Sequence, residues 1–197
     1  MSDAIEQLAD LTDFFMQIDA LKSVERRSYI GDGTRLENSA EHSWHLAMAC
    51  WTLARRFDLP VSEEKLIKLA LVHDLGEIDA GDTFLYAKER SDAHQEERRC
   101  VARLAAHDGN GIEELSELWE EQETGSSLET RLLKVADRLL PFLLNVKNEG
   151  RTWLDLGVCR SQVQAAHAFI AAEFPQIHGW MLAQIDHAVE QGWLKPD

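Results

Sequence analysis

Apolar residues in this chain recur three and four positions apart almost from end to end, and that spacing confines it to amphipathic helices packed face to face. Ile5, Leu8, Leu11, Phe15, Ile18 and Leu21 stripe the first segment. A loop rich in turn formers follows over 23–38, with Gly31, Asp32, Gly33 and Asn38. Ser39 is then expected to cap a second helix, about 40–57, whose first turn holds Glu41. Pro60 and Ser62 precede a third helix opened by Glu63 and Glu64, with Leu66, Leu69, Ala70 and His73 on one side and Gly76 loosening its end. Residues 77–86 read as a short turn or loop. A polar helix is expected over about 88–106, stopping at Gly109 and Gly111, and another over about 112–122. Ser126 and Glu129 have capping-box spacing before a strongly apolar helix, which Pro141 should kink or bring to its last turns. Two more helices, about 160–173 and 176–191, are separated by Pro175. No strand, repeat or linker is expected, so the fold class is all-α, a single-domain helical bundle over residues 1–197.

Composition narrows the function. The chain is 45% hydrophobic with six Trp, which excludes a disordered protein, and 197 residues suffice for one core. Twenty Lys and Arg against 35 Asp and Glu leave a net charge of −15, which repels polyanions, so no nucleic-acid polymer and no membrane are expected as partners. Cys50, Cys100 and Cys159 are too far apart for a metal knuckle or a disulfide framework and suit a reducing compartment. The segment MSDAIEQLAD lacks the positive charge and apolar run of a signal peptide, and no stretch approaches the ~18 apolar residues of a membrane span. The expectation is a cytoplasmic protein.

His73 and Asp74 are adjacent near a helix end, where ~100° of rotation still lets both side chains reach one ion beside the axis. The dipeptide alone means little, since His107-Asp108 is a second copy that dipole stabilisation at a helix C-terminus explains. His73-Asp74 has company, however. His42 lies in the first turn of an upstream helix, and Asp137 sits on a downstream helix flanked by Leu132, Leu133, Ala136, Leu139 and Leu140. A buried unpaired carboxylate costs several kcal/mol, so Asp137 needs either a metal ion or a salt bridge to Arg138 or Arg131. Glu77 follows His73 by four residues and shares its face if the helix persists through Gly76, where it could accept or donate a proton; the alternative is a solvated acidic loop.

The order His42, His73-Asp74, Asp137 resembles the HD-domain superfamily of metal-dependent phosphohydrolases. ENSAEHS at 37–43, LALVHDLGEIDAGD at 69–82 and LLKVADRL at 132–139 look like the three signature blocks of its small nucleotidases, the 5′-deoxynucleotidase type. The resemblance implies an HD-type helical bundle. It also implies one divalent ion (Mn, Co, Fe, Ni, Zn or Mg) on His42, His73, Asp74 and Asp137. Glu77 and Asp82 would be catalytic, and Arg27, 15 residues before His42, would hold the substrate phosphate, with Arg35 and Lys88 as weaker candidates. The implied reaction is phosphate release from nucleoside 5′-monophosphates, deoxynucleotides included, by a homodimer whose Trp-containing C-terminal helices offer a pairing surface.

Ser28 departs from the family, which has tryptophan after the arginine, a residue tied to the 2′-deoxy sugar. A hydroxyl there admits a ribose, and Tyr29 restores some aromatic surface. Trp44, Trp51, Trp119, Trp153, Trp180 and Trp193 are expected in the core or at interfaces, and His45 on the surface or in the core. Two other functions keep the same fold. One is a dinuclear phosphodiesterase or di-iron oxygenase, with His94 and His107 holding a second ion; the other is a non-catalytic nucleotide-binding module.

Overall fold

The computed structural model describes residues 2–86 and 93–197, and is all-α apart from one small ribbon. In chain order it contains α1 (Ser2–Asp19), a 3-10 turn (Ala20–Ser23), β1 (Glu25–Tyr29), β2 (Leu36–Asn38), α2 (Ser39–Arg56), α3 (Glu63–Val72) and α4 (Glu77–Ala80). There follow α5 (Ala93–Ala105), α6 (Leu115–Thr124), α7 (Leu128–Lys147), α8 (Arg151–Leu156), α9 (Arg160–His167), α10 (Ile170–Glu173) and α11 (Pro175–Glu190). The chain forms two compact units, one from residues 2–25, 38–83 and 93–134, the other from 26–37, 84–86 and 135–197. Among the described residues no helix is long and apolar enough to cross a membrane.

In the first unit the inward stripes of α2 (Leu46, Cys50), α3 (Leu66, Leu69), α5 (Leu104) and α6 (Leu115, Trp119) are each at most 1% exposed and form its core. Burying each such side chain contributes about 1.5–3 kcal/mol, which holds α2 against α3 and α3 against α6. In the second unit the Phe142 ring meets Trp153 at 5.6 Å and Trp180 at 6.1 Å, and Ile170, Met181 and Ile185 are at most 1% exposed. Trp153 is fully buried, whereas Trp180 of the C-terminal helix α11 is 43% exposed. Large exposed apolar side chains mark α1 (Ile5, Leu8, Phe15) and α2 (Trp44, Met48, Trp51), and also α8 and α11 (Leu154, Leu156, Trp180).

Several local expectations are corrected. The 23–38 loop contains the two-stranded ribbon, closed by Ile30 N–H donating to Arg35 O (3.0 Å) and Gly33 N–H to Ile30 O (2.8 Å). Asn38, not Ser39, caps α2. The capping box at Ser126 and Glu129 does not form: Ser127 Oγ accepts from Thr130 N (3.2 Å), while Glu129 Oε1 accepts from Ser62 N (2.8 Å). Pro141 lies inside α7, which continues to Lys147. The helix expected over 160–173 breaks between α9 and α10, and α8 was not anticipated. The start of the polar helix at 88–92 lies outside the described residues.

Candidate metal centre

The site begins with the cap of α2. Asn38 Oδ1 accepts from Glu41 N (2.9 Å) and Glu41 Oε2 accepts from Asn38 N (3.3 Å), a reciprocal box that fixes the phase of the first turn. Helical spacing then turns Ser39, His42 and Ser43 to one buried side. Ser43 Oγ donates to Ser39 O (2.8 Å).

His73 follows the last residue of α3 and keeps helical dihedrals, so its Nδ1 reaches Ala70 O at 2.8 Å. A carbonyl can only accept, so Nδ1 carries the proton and Nε2 presents its lone pair. That Nε2 lies 3.0 Å from Asp74 Oδ1. Two acceptors so close repel unless a proton or a metal ion lies between them. Donors bound at ~2.1 Å to one ion and at right angles are themselves ~3 Å apart, so the pair fits a shared ion. The His42 ring faces His73 with centroids 5.4 Å apart, and both imidazoles are buried. From below, Trp119 Nε1 (3.2 Å) and Gln122 Nε2 (3.5 Å) donate to the carbonyl of His73.

Beyond His73 the chain tightens into three-residue turns, with Leu75 N donating to Val72 O and Glu77 N to Asp74 O. A Cβ on Gly76 would stand 2.6 Å from Glu97 Cβ, so only glycine lets α5 approach here. The α3 helix therefore does not persist through Gly76, and Glu77 is placed by the separate turn α4. Buried there, Glu77 accepts a 2.6 Å hydrogen bond at Oε2 from Ser39 Oγ. Charge-assisted bonds of this kind stabilise by about 1.5–3 kcal/mol. Ser39 is thus a site residue whose role the sequence hid. Asn38-x-x-Glu41 was the available signal, because once Asn38 takes the cap, Ser39 is free to turn inward. Glu77 and Asp82 line one cleft of about 680 Å³ together with Lys22, Glu25 and Asp79. Four carboxylates against one ammonium make it a cation-seeking surface.

The remaining anticipated residues divide. Asp137 is on α7 in the second unit, its side chain 21% exposed, with Arg138 Nη1 at 3.3 Å as the anticipated ion pair. Arg131 bonds to Ser126 O instead. Among the described residues of the first unit, His94, Glu97 and Glu123 form a group of side chains that could hold a metal ion. Arg27 is an exposed residue of β1 whose carbonyl accepts from Thr152 Oγ1 (2.9 Å), and Ser28 beside it is buried. The Tyr29 ring is covered by the Arg151 guanidinium 3.7 Å from its centroid. Arg35 donates to Leu36 O (3.0 Å), and Lys88 lies outside the described residues. His45 is half-buried and stacks on exposed Trp44. His94 and His107 take different partners: His107 bonds to Asp13 (3.0 Å), His94 faces Glu97 and Glu123.

Residues 18–178 match the model of the HD domain family. The chain is 30% identical over 133 residues to the 5′-deoxynucleotidase HDDC2 of Danio rerio, a match covering 66% of this chain and 65% of that protein. It is 29% identical over 139 residues to the 5′-deoxynucleotidase YfbR of Escherichia coli O1:K1 / APEC, covering 66% and 69%. The chain thus spans a little less than two thirds of the zebrafish relative. A solved structure described as a predicted metal-dependent phosphohydrolase from Magnetospirillum magnetotacticum MS-1 superposes with a TM-score of 0.85 at 36% identity, covering 96% of each chain.

Proposed function

The chain belongs to the HD domain family, and on that premise we propose that it is a metal-dependent phosphohydrolase releasing phosphate from nucleoside 5′-monophosphates, deoxynucleotides included. The observation that carries this reading is the buried group of His42, His73, Asp74 and Glu77, with Glu77 opening on the same cleft as Asp82. The names of the relatives, two 5′-deoxynucleotidases and a metal-dependent phosphohydrolase, support it. Because the family match runs through both compact units, residues 1–197 are read as one HD domain.

His42, His73, Asp74 and Asp137 would hold one divalent ion, two imidazoles and two carboxylates balancing its charge. Bound there, Mn, Co, Fe, Ni, Zn or Mg would lower the pKa of a water molecule and draw charge from a phosphoryl oxygen. Glu77, oriented by Ser39, takes the proton from the attacking water or returns one to the leaving 5′-alkoxide. Asp82 assists from across the cleft. Arg27 supplies the cation that a phosphate needs among so many carboxylates. Ser28 stands where the family carries tryptophan, a residue tied to the 2′-deoxy sugar, so ribonucleotides are included among the substrates. Three free cysteines, two of them buried, suit a cytoplasmic protein, and the exposed apolar faces of α1 and α2 suit a homodimer.

The deciding experiment is phosphate release from a panel of ribo- and deoxyribonucleoside 5′-monophosphates, each assayed with a series of divalent ions after chelation. Turnover that appears only with added metal is the expected result. No release from any member of the panel with any ion ends the proposal.

A further inference from the structure

Outside the centre just described, the first unit contains a second convergence of metal-binding side chains. His94 and Glu97 lie three residues apart on one face of α5, and Glu123 comes from α6. Their donor atoms all lie within 4.8 Å of one another. His94 Nδ1 is 3.3 Å from Glu123 Oε2 and 3.7 Å from Glu97 Oε2. The three side chains are between 19% and 37% exposed, open enough for an ion to enter and buried enough to weaken competition from water.

Each ligand is also oriented by a neighbour. The His94 ring stacks on buried Trp119, centroids 5.5 Å apart at 24°, which fixes the direction of Nδ1. Glu123 Oε1 accepts from Gln122 Nε2 at 2.8 Å, which turns Oε2 toward the imidazole. Glu97 is held at the crossing where α5 meets Gly76. Two described cations nearby have other partners: Arg98 forks onto Glu120 at 2.5 and 3.0 Å, and Lys134 donates to the backbone carbonyl of Glu123 at 3.0 Å. A neutral imidazole with two carboxylates carries a charge of about −2, matched by a divalent ion, whereas a protonated imidazole balances half of it.

We propose that His94, Glu97 and Glu123 form a second divalent-metal site, filled by a transition ion such as Zn²⁺ and structural in role. One nitrogen and two carboxylate oxygens with water completing the shell suit such an ion. Its position gives it a consequence. Trp119, under the His94 ring, and Gln122, which orients Glu123, both donate to the carbonyl of His73. An ion here clamps α5 to α6 beneath the turn that carries His73 and Asp74, and so stiffens the floor of the first centre without touching substrate.

The test is equilibrium dialysis of the chelator-stripped, full-length protein against Zn²⁺, with bound metal counted by elemental analysis and folding checked by circular dichroism. The wild type is expected to hold one ion more than Glu123→Gln, which keeps the shape of the side chain, and one more than His94→Ala. Asp74→Asn, aimed at the other centre, should keep the ion that depends on His94, so failure of the nucleotidase reading would leave this one standing. Glu123→Gln and His94→Ala proteins that both bind as many ions as the wild type, with the same affinity, overturn it.

Discussion

The first unit contains two His-Asp pairs, and the protein treats them differently. At His73 the ring proton is spent on Ala70 O, within its own helix, which leaves Nε2 beside Asp74 and facing His42. At His107 the roles reverse. Gly109 N donates to Nδ1 (3.0 Å), so Nε2 holds the proton and gives it to Asp13 of α1 (3.0 Å), while Phe14 packs against the ring. Asp108 points into solvent. One dipeptide belongs to the buried group proposed to hold an ion, and the other fastens α1 to the end of α5. The difference comes from which backbone group meets Nδ1: a carbonyl exposes the far nitrogen as a ligand, and an amide turns it into a donor.

Substitutions should separate the two pairs sharply. Asp74→Asn, like Asp137→Ala, is expected to lower kcat/KM by at least ~10²-fold with bound metal falling in step, whereas Asp108→Asn leaves both unchanged. Equal losses in the two asparagine variants would erase the contrast. Next in size, Glu77→Gln should cost ~10²- to 10⁴-fold in kcat while metal analysis shows the ion retained. A Glu77→Gln protein with wild-type turnover removes the proton-transfer role. Ser39→Ala, which takes the hydroxyl from Glu77, should cost about tenfold in kcat with KM little changed, as a charge-assisted bond worth ~1.5 kcal/mol requires.

Smaller effects belong to stability. His107→Ala should lower unfolding free energy by about 1–2 kcal/mol, read as a drop of a few degrees in Tm, with kcat untouched. His167 supplies the last comparison: its Nδ1 also bonds to a helix carbonyl (Val163 O, 2.6 Å), but its ring packs against Phe142. Burial holds its pKa below the ordinary 6.5. The unfolded chain therefore binds the proton more readily, so the stability this residue contributes is complete above pH 6.5 and is lost as pH falls below it. Denaturant melts at pH 7.5 and 5.5 should differ more in the wild type than in His167→Gln.

The long helices were legible because their stripes are long: α1, α2 and α7 each run 18 residues or more, enough turns for a three-and-four pattern to stand out. The ribbon was not, since β1 is five residues reading ERRSY and β2 is three, too short and too charged to alternate visibly. The break between α9 and α10 falls at Ala168 and Phe169, where neither glycine nor proline marks it. At the centre, His42, His73 and Asp74 could be read as potential ligands from residue type and order. Ser39 could not, because its partner Glu77 is 38 positions away and the contact depends on how α2 meets α4. The second cluster is half-visible in the sequence: His94 is legible, but the side chains it faces are Glu97 and Glu123, two glutamates among many, while His107 bonds to Asp13.

Gly76 bears no functional group, yet the approach of α5 forbids it even a methyl. In a set of related chains that keep this helix crossing, that position would stay as constant as the ligands beside it, and a survey of invariant letters would count it as part of the chemistry. Its constancy would be one of exclusion, dictated by a neighbour's backbone. The spelling around His73-Asp74 thus records two separate demands, one from the proposed reaction and one from the architecture beneath it.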